Sequence, residues 1–138
     1  MRSLILCVLV LPLAVSTMAC ESAIDNLPTT PDPVTVTETF TGSININGAA
    51  THNVFTGATG VVQATLTSLG ENPPAKVGFS LGTLSGSTCS LVLTNDNAVV
   101  TSVLTGTVTT LNGSLCVRVY DVGALTESVE YTFTVTHQ

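Results

Sequence analysis

Residues 113–123, Gly-Ser-Leu-Cys-Val-Arg-Val-Tyr-Asp-Val-Gly, restrict the fold more than any other stretch of this chain. Leu115, Val117 and Val119 alternate with Cys116, Arg118 and Tyr120, the two-residue period of a strand with one buried face. Asn112-Gly113 and Asp121 bracket the segment with turn residues, so the strand is short and bounded at both ends. No part of the chain reads as an amphipathic helix, which would place apolar residues three and four apart.

The same period recurs on either side. Val34, Val36, Phe40, Ile44 and Ile46 share one parity, and Thr35, Thr37, Thr39 and Thr41 the other; Glu38 interrupts the apolar face. Gly42 indicates a bend or bulge there, hence two strand segments. Asn47-Gly48 predicts a tight hairpin that returns into a strand at 51–56. Val62, Ala64 and Leu66 alternate next, and Gly70-Glu71-Asn72-Pro73-Pro74 then breaks the sheet. Val77, Phe79 and Leu81 form a further strand, a Gly/Ser-rich loop covers 82–88, and Cys89, Leu91 and Leu93 follow before a turn at Asn95-Asp96-Asn97. Residues 99–108 are apolar and Thr-rich without clean alternation, which leaves their register open. Val129, Tyr131, Phe133 and Val135 make the last strand the cleanest amphipathic one. Seven to nine short strands punctuated by Gly, Asn and Pro predict an all-β fold, an antiparallel two-sheet β-sandwich of jelly-roll or Ig-like topology.

Charge narrows the range of partners. Charged residues make up 9% of the chain, against about 25% in an ordinary domain. The solvated surface is therefore expected to be Thr, Ser and Asn, which suits strand faces and turns. The formal charge is −6; without Arg2 two basic residues, Lys76 and Arg118, remain against nine acidic ones. Two cations cannot form the cluster that a polyanion requires, so nucleic acid is not an expected partner, nor is an anionic membrane surface held by charge.

The N-terminal segment reads as an export signal over residues 1–19: one positive charge at Arg2, an apolar run over 4–15, and small residues before Cys20. The run is too short for a bilayer span and contains Pro12. Thr17-Met18-Ala19-Cys20 resembles a bacterial lipobox in its Ala19-Cys20 step but departs from it at Thr17 and Met18; ordinary signal cleavage at the same bond is the alternative. Cysteine arithmetic favours lipidation. Cys7 leaves with the signal, and if Cys89 and Cys116 pair, Cys20 is left over; acylation gives that thiol a use in an oxidising compartment. Residues 20–33, with Pro28, Pro31 and Pro33, then read as an acylated N-terminus and extended tether, and 34–138 as the sandwich. Membrane attachment would run through that N-terminal lipid.

Several segments resemble the pre-peptidase C-terminal domain, a small secreted bacterial β-sandwich module. They are Thr-Phe-Thr-Gly-Ser-Ile at 39–44, Gly-Val-Val-Gln-Ala-Thr-Leu at 60–66, the Val-Arg-Val-Tyr strand, and Tyr-Thr-Phe-Thr-Val at 131–135. The resemblance implies a jelly-roll arrangement and an accessory role; related domains can bind calcium. These are fold-pattern motifs, and they carry no catalytic signature.

Cys89 and Cys116, 27 residues apart in or beside predicted strands, read as a structural disulfide rather than a redox pair or metal site. The chain lacks Gly-x-Ser-x-Gly and His-Glu-x-x-His, and His52 is the only plausible internal base, so the expectation is a non-enzyme without cofactor. His137 sits at a C-terminus expected to fray. Asp96, beside Asn95 and Asn97, and Asp121 are candidate calcium ligands, against the ordinary use of Asx side chains in turns; no dense ligand loop is present, and no metal is expected. A sugar platform has Tyr120 as its main outward aromatic, since Phe40, Phe79, Tyr131 and Phe133 fall on inner faces. The chain is thus expected to be an exported, lipid-anchored, non-catalytic module of the bacterial cell envelope, engaging an unknown protein or glycan through loops or a sheet edge. A structural envelope protein with no small ligand is the alternative, as is a simply secreted module.

Overall fold

Eight strands and no helix occupy the residues that the computed structural model describes, 31–138. They are β1 (Val36–Ile44), β2 (Ala49–Thr56), β3 (Gly60–Ser68), β4 (Val77–Ser85), β5 (Thr88–Ala98), β6 (Val103–Val108), β7 (Gly113–Tyr120) and β8 (Val129–His137). The signal and the acylated Cys20 expected at the N-terminus lie outside the described residues. One sheet has the order β1-β8-β3-β6 and the other β2-β7-β4-β5, all pairs antiparallel. The pairs β1 with β8, β2 with β7, β3 with β6 and β4 with β5 are those of one long hairpin rolled up on itself. That is jelly-roll connectivity, the first of the two topologies expected.

Only β4 and β5 are joined as sequential neighbours within a sheet; every other connection crosses between sheets. This relocates the hairpin. Asn47-Gly48 does turn the chain, with Asn47 at φ 56° and the Gly48 N–H donating to the Asn45 carbonyl at 2.8 Å. Its flanks nevertheless join different sheets, because β1 is paired with β8 and β2 with β7. A local turn preference fixes the reversal but not the partner; the corner is held by Asp121, whose carboxylate accepts from the Asn47 N–H and whose own N–H donates to the Gly48 carbonyl. The tight hairpin lies instead at Gly86-Ser87, within the segment expected to be a loop. Ser85 pairs with Thr88, and a positive φ of 60° at Gly86 alone of the two central residues defines a type II′ turn.

Two more expectations change. β1 runs unbroken through Gly42, against whose Cα the Tyr131 ring packs, so that glycine marks a close approach and not a bend. Asn95-Asp96-Asn97 lies inside β5, where Asp96 and Asn97 together oppose Gly78: a β-bulge, supported by the Asn97 N–H donating to Asn95 Oδ1 at 3.0 Å. A second bulge at Val92, between the Leu81–Leu93 and Gly82–Leu91 pairs, bends β5 again.

The core fills the space between the sheets. Val62, Ala64, Leu66, Val129, Tyr131, Phe133 and Val135 face Val54, Val77, Phe79, Leu81, Leu115, Val117 and Val119, all buried. Phe133 links the layers, stacked on Phe40 at 5.0 Å and tilted against Phe79 at 5.8 Å between ring centres. Glu38 and His137, which break the apolar parity of their strands, meet at one end of the β1–β8 ladder: His137 is buried, its Nε2 is 3.5 Å from Oε2 of the 43% exposed Glu38, and it belongs to β8 instead of fraying. Residues 99–102, whose register the sequence leaves open, form the β5–β6 crossover, bonded through the Thr101 N–H to the Leu66 carbonyl and through the Ser102 carbonyl to the Leu66 N–H.

Candidate functional site

The outer face of the β2-β7-β4-β5 sheet brings Arg118, Tyr120 and Asp96 together. Alternation along β7 turns Leu115, Val117 and Val119 inward and Cys116, Arg118 and Tyr120 outward. Opposite them stand Asn53, Thr51 and Ala49 of β2 and Gly82, Ser80 and Gly78 of β4. The small residues on β4 have a consequence. Tyr120 lies flat on Gly78, where a Cβ would occupy the same space as the ring. Ser80 is wholly buried, as is Cys116.

The disulfide joins Cys89 of β5 to Cys116 of β7 across the intervening β4, with the two Cα atoms 5.8 Å apart. Strand spacing of about 4.8 Å would hold β5 and β7 nearly twice that far apart in a flat sheet. Gly82 resolves the discrepancy: its Cβ position is taken by the Ser90 backbone, so β5 leans over β4 at the Val92 bulge and carries Cys89 towards Cys116.

Beside the disulfide, the Arg118 guanidinium lies 5.7 Å from the centre of the Tyr120 ring. Its Nε is buried without a hydrogen-bond partner, and among the described residues no carboxylate pairs with it. The Tyr120 hydroxyl donates to Asp96 Oδ1, on the bulge of β5. Burial, followed by that hydrogen bond and the charge of Asp96, pushes the Tyr120 phenol up to about 12. It stays protonated and directed at Asp96. Lys76 closes the margin of the patch, its Nζ donating to Asn97 Oδ1 at 3.0 Å. The patch therefore holds Arg118, with Lys76 at its margin, the Tyr120 ring, the Asp96 carboxylate and neutral Ser, Thr and Asn groups, a set suited to recognition of a hydroxyl-rich contact by hydrogen bonding.

The two candidate calcium ligands do not converge. Asp121 Oδ2 accepts from the Asn47 N–H, and Oδ1 from the N–H groups of Gly123, Ala124 and Leu125. These bonds, that from Asn47 foremost, hold its carboxyl below the usual aspartate range. Asp121 is thus a turn-building acceptor whose lone pairs are taken by backbone. Asp96 is committed to Tyr120, and no cluster of three metal-ligating side chains occurs among the described residues.

His52 lies on β2 and points between the sheets. Its Nε2 is 2.7 Å from the Tyr131 hydroxyl, and its ring is edge-on to Phe40 at 5.5 Å and to Phe133 at 5.2 Å. Burial lowers its pKa and raises that of Tyr131. The imidazole is packed among aromatic rings, as a satisfied core histidine is. Two shallow polar clefts lie elsewhere, of about 390 Å³ beside Gly42, Ser68 and Tyr131, and about 550 Å³ between Glu71 and Glu127.

Sequence reasoning found the outward Tyr120 but missed the contact between Tyr120 and Asp96, because the bulge that brings Asp96 round read as a turn. It also passed over Arg118, although the alternation of β7 already placed that side chain outside. No protein-family model matches the chain, and no curated protein sequence is similar to it.

Proposed function

We propose that this chain is an exported, lipid-anchored, non-catalytic β-sandwich of the bacterial cell envelope, similar to the pre-peptidase C-terminal domain, that binds a protein or glycan. The observation that carries the reading is the Cys89–Cys116 bond. A disulfide belongs to an oxidising compartment, and this one leaves Cys20 without a partner once Cys7 departs with the signal. Acylation of Cys20 accounts for the odd thiol. The Arg118–Tyr120 patch is the surface proposed for the ligand, since among the described residues no carboxylate pairs with the Arg118 guanidinium.

Intact mass and detergent partitioning of the chain expressed in a bacterium test the anchor. A diacylglycerol-sized mass gain, lost on Cys20→Ser, is expected. An unmodified chain that stays in the aqueous phase with Cys20 free or cross-linked overturns the anchor and favours a simply secreted module.

A further inference from the structure

Charged and apolar side chains are segregated between the two ends of the sandwich. β1 begins at the end where Val36 pairs with His137, the Ala58 N–H donates to the Gln138 carbonyl at 3.2 Å, and the Gly60–Val108 and Thr56–Gly113 pairs close their ladders. The connections that turn at this end, 57–59, 86–87 and 109–112, contain no charged residue. Apolar side chains are exposed there instead. Phe55 is 64% exposed and Leu111 70%, and Val34 and Val36 are open to solvent where the chain enters β1. Asp32 precedes the first strand, and Glu38 lies within it beside His137. The opposite end also exposes Ile46 and Val99, but its connections carry Glu71, Lys76, Asp121 and Glu127.

We propose that the end at which β1 begins rests on the lipid bilayer, with Phe55 and Leu111 entering its headgroup region; the inference rests on the anchored reading given above. Connectivity selects the end. An anchor at Cys20 draws the domain to the bilayer by Val36, and residues 20–35 reach at most about 55 Å even fully extended. Within that reach a contact too weak to hold a free chain is populated, because covalent linkage supplies a high effective concentration. Charge selects the same orientation. A surface bearing anionic lipids repels carboxylates, so a chain of net negative charge approaches with the end whose connections bear none and turns Glu71, Asp121 and Glu127 away. The side chains suit an interfacial contact: an aromatic ring and an aliphatic chain enter, the neighbouring Ser, Thr and Asn groups meet the headgroups, and the connections bring no charge to be desolvated.

The test places the exported chain on vesicles of phosphatidylethanolamine and phosphatidylglycerol. It is held there by its own lipid or, where its mass shows none, by a maleimide-bearing lipid coupled to Cys20, so that the quenching result does not depend on acylation. The chain has no Trp, so Leu111→Trp and Val99→Trp each report on one end. Lipids with brominated acyl chains are expected to quench Leu111→Trp fluorescence several-fold and to leave Val99→Trp, exposed at the opposite end, unchanged. Phe55→Asp added to Leu111→Trp is expected to abolish most of that quenching while the urea midpoint holds, since both side chains are exposed. Equal quenching at the two ends, quenching indifferent to Phe55→Asp, or an anchored Leu111→Trp chain that is not quenched overturns the proposal; in the last case the apolar end is left to a protein partner. A missing native lipid, seen in the mass, sinks the anchored reading, whereas a missing contact is seen in the quenching.

Discussion

Two residues carry local costs that the fold imposes. Thr101 adopts φ 78°, a left-handed conformation that a β-branched side chain resists, because the β5–β6 crossover must present both its Thr101 N–H and its Ser102 carbonyl to Leu66. Such a residue costs about 1–3 kcal/mol, part of which glycine recovers at the expense of greater chain entropy when unfolded. Thr101→Gly is therefore expected to stabilise the domain by about 1 kcal/mol, read as a raised urea midpoint; a lowered midpoint would show the side chain to be needed. His52 bears the other cost. Its pKa is lowered by burial, so on acidification the unfolded chain takes up a proton first, near the ordinary value of about 6.5. The stability tied to His52 is complete above that value and falls as pH descends towards the lowered folded value. His52→Gln keeps a polar partner for the Tyr131 hydroxyl and is expected to flatten this part of the stability profile. Urea midpoints measured on both sides of about pH 6.5 check it, and an unchanged slope in the variant counts against the assignment.

At the scale of elements, β5 depends on what β4 lacks. The Ser90 backbone occupies the space a Cβ on Gly82 would need, and the resulting lean carries Cys89 to Cys116. Gly82→Ala is expected to cost about 2 kcal/mol through backbone displacement and to leave a fraction of chains with free Cys89 and Cys116 thiols, measurable by thiol titration beside a denaturation curve. Full disulfide formation with an unmoved midpoint would refute that role. Loss of the bond itself, closing a 27-residue separation, costs about 3–4 kcal/mol in the chain-entropy account. Alternation alone made β7, β8 and the inner sides of β3 and β4 legible in the sequence, because a buried face writes every second residue. β5 was legible only at its start: two bulges shift its parity, so Leu91 is exposed although it shares a parity with the half-buried Leu93. The Asn47-Gly48 hairpin failed for a related reason, since the type of a turn is local and the identity of its neighbour is not. Of the candidate site, Tyr120 and Arg118 could be placed outward from β7 alone, but the approach of Asp96 depends on the bulge and of Cys89 on Gly82. Both are pairings across strands that no local pattern encodes.

The described domain is a rolled hairpin whose outermost pair, β1 with β8, joins residues about a hundred positions apart, as in the Val36–His137 partnership. Most of its sheet contacts are non-local, and the chain must close large loops before those contacts form. Refolding with the disulfide intact is expected to take milliseconds to seconds, as in other all-β domains; a sub-millisecond phase carrying the full amplitude in stopped-flow fluorescence of the tyrosines would contradict it. The same pairing sets how the domain bears load. Both ends leave the β1–β8 ladder at one side, and antiparallel hydrogen bonds run perpendicular to the strands. Tension between the ends thus opens that ladder bond by bond, as a zipper, instead of stressing all its bonds together in shear. Unravelling can consume β1, β2, β3, β4 and β8, but the covalent link between Cys89 and Cys116 keeps the stretch between them from paying out, and the pulled chain stops short of its full contour.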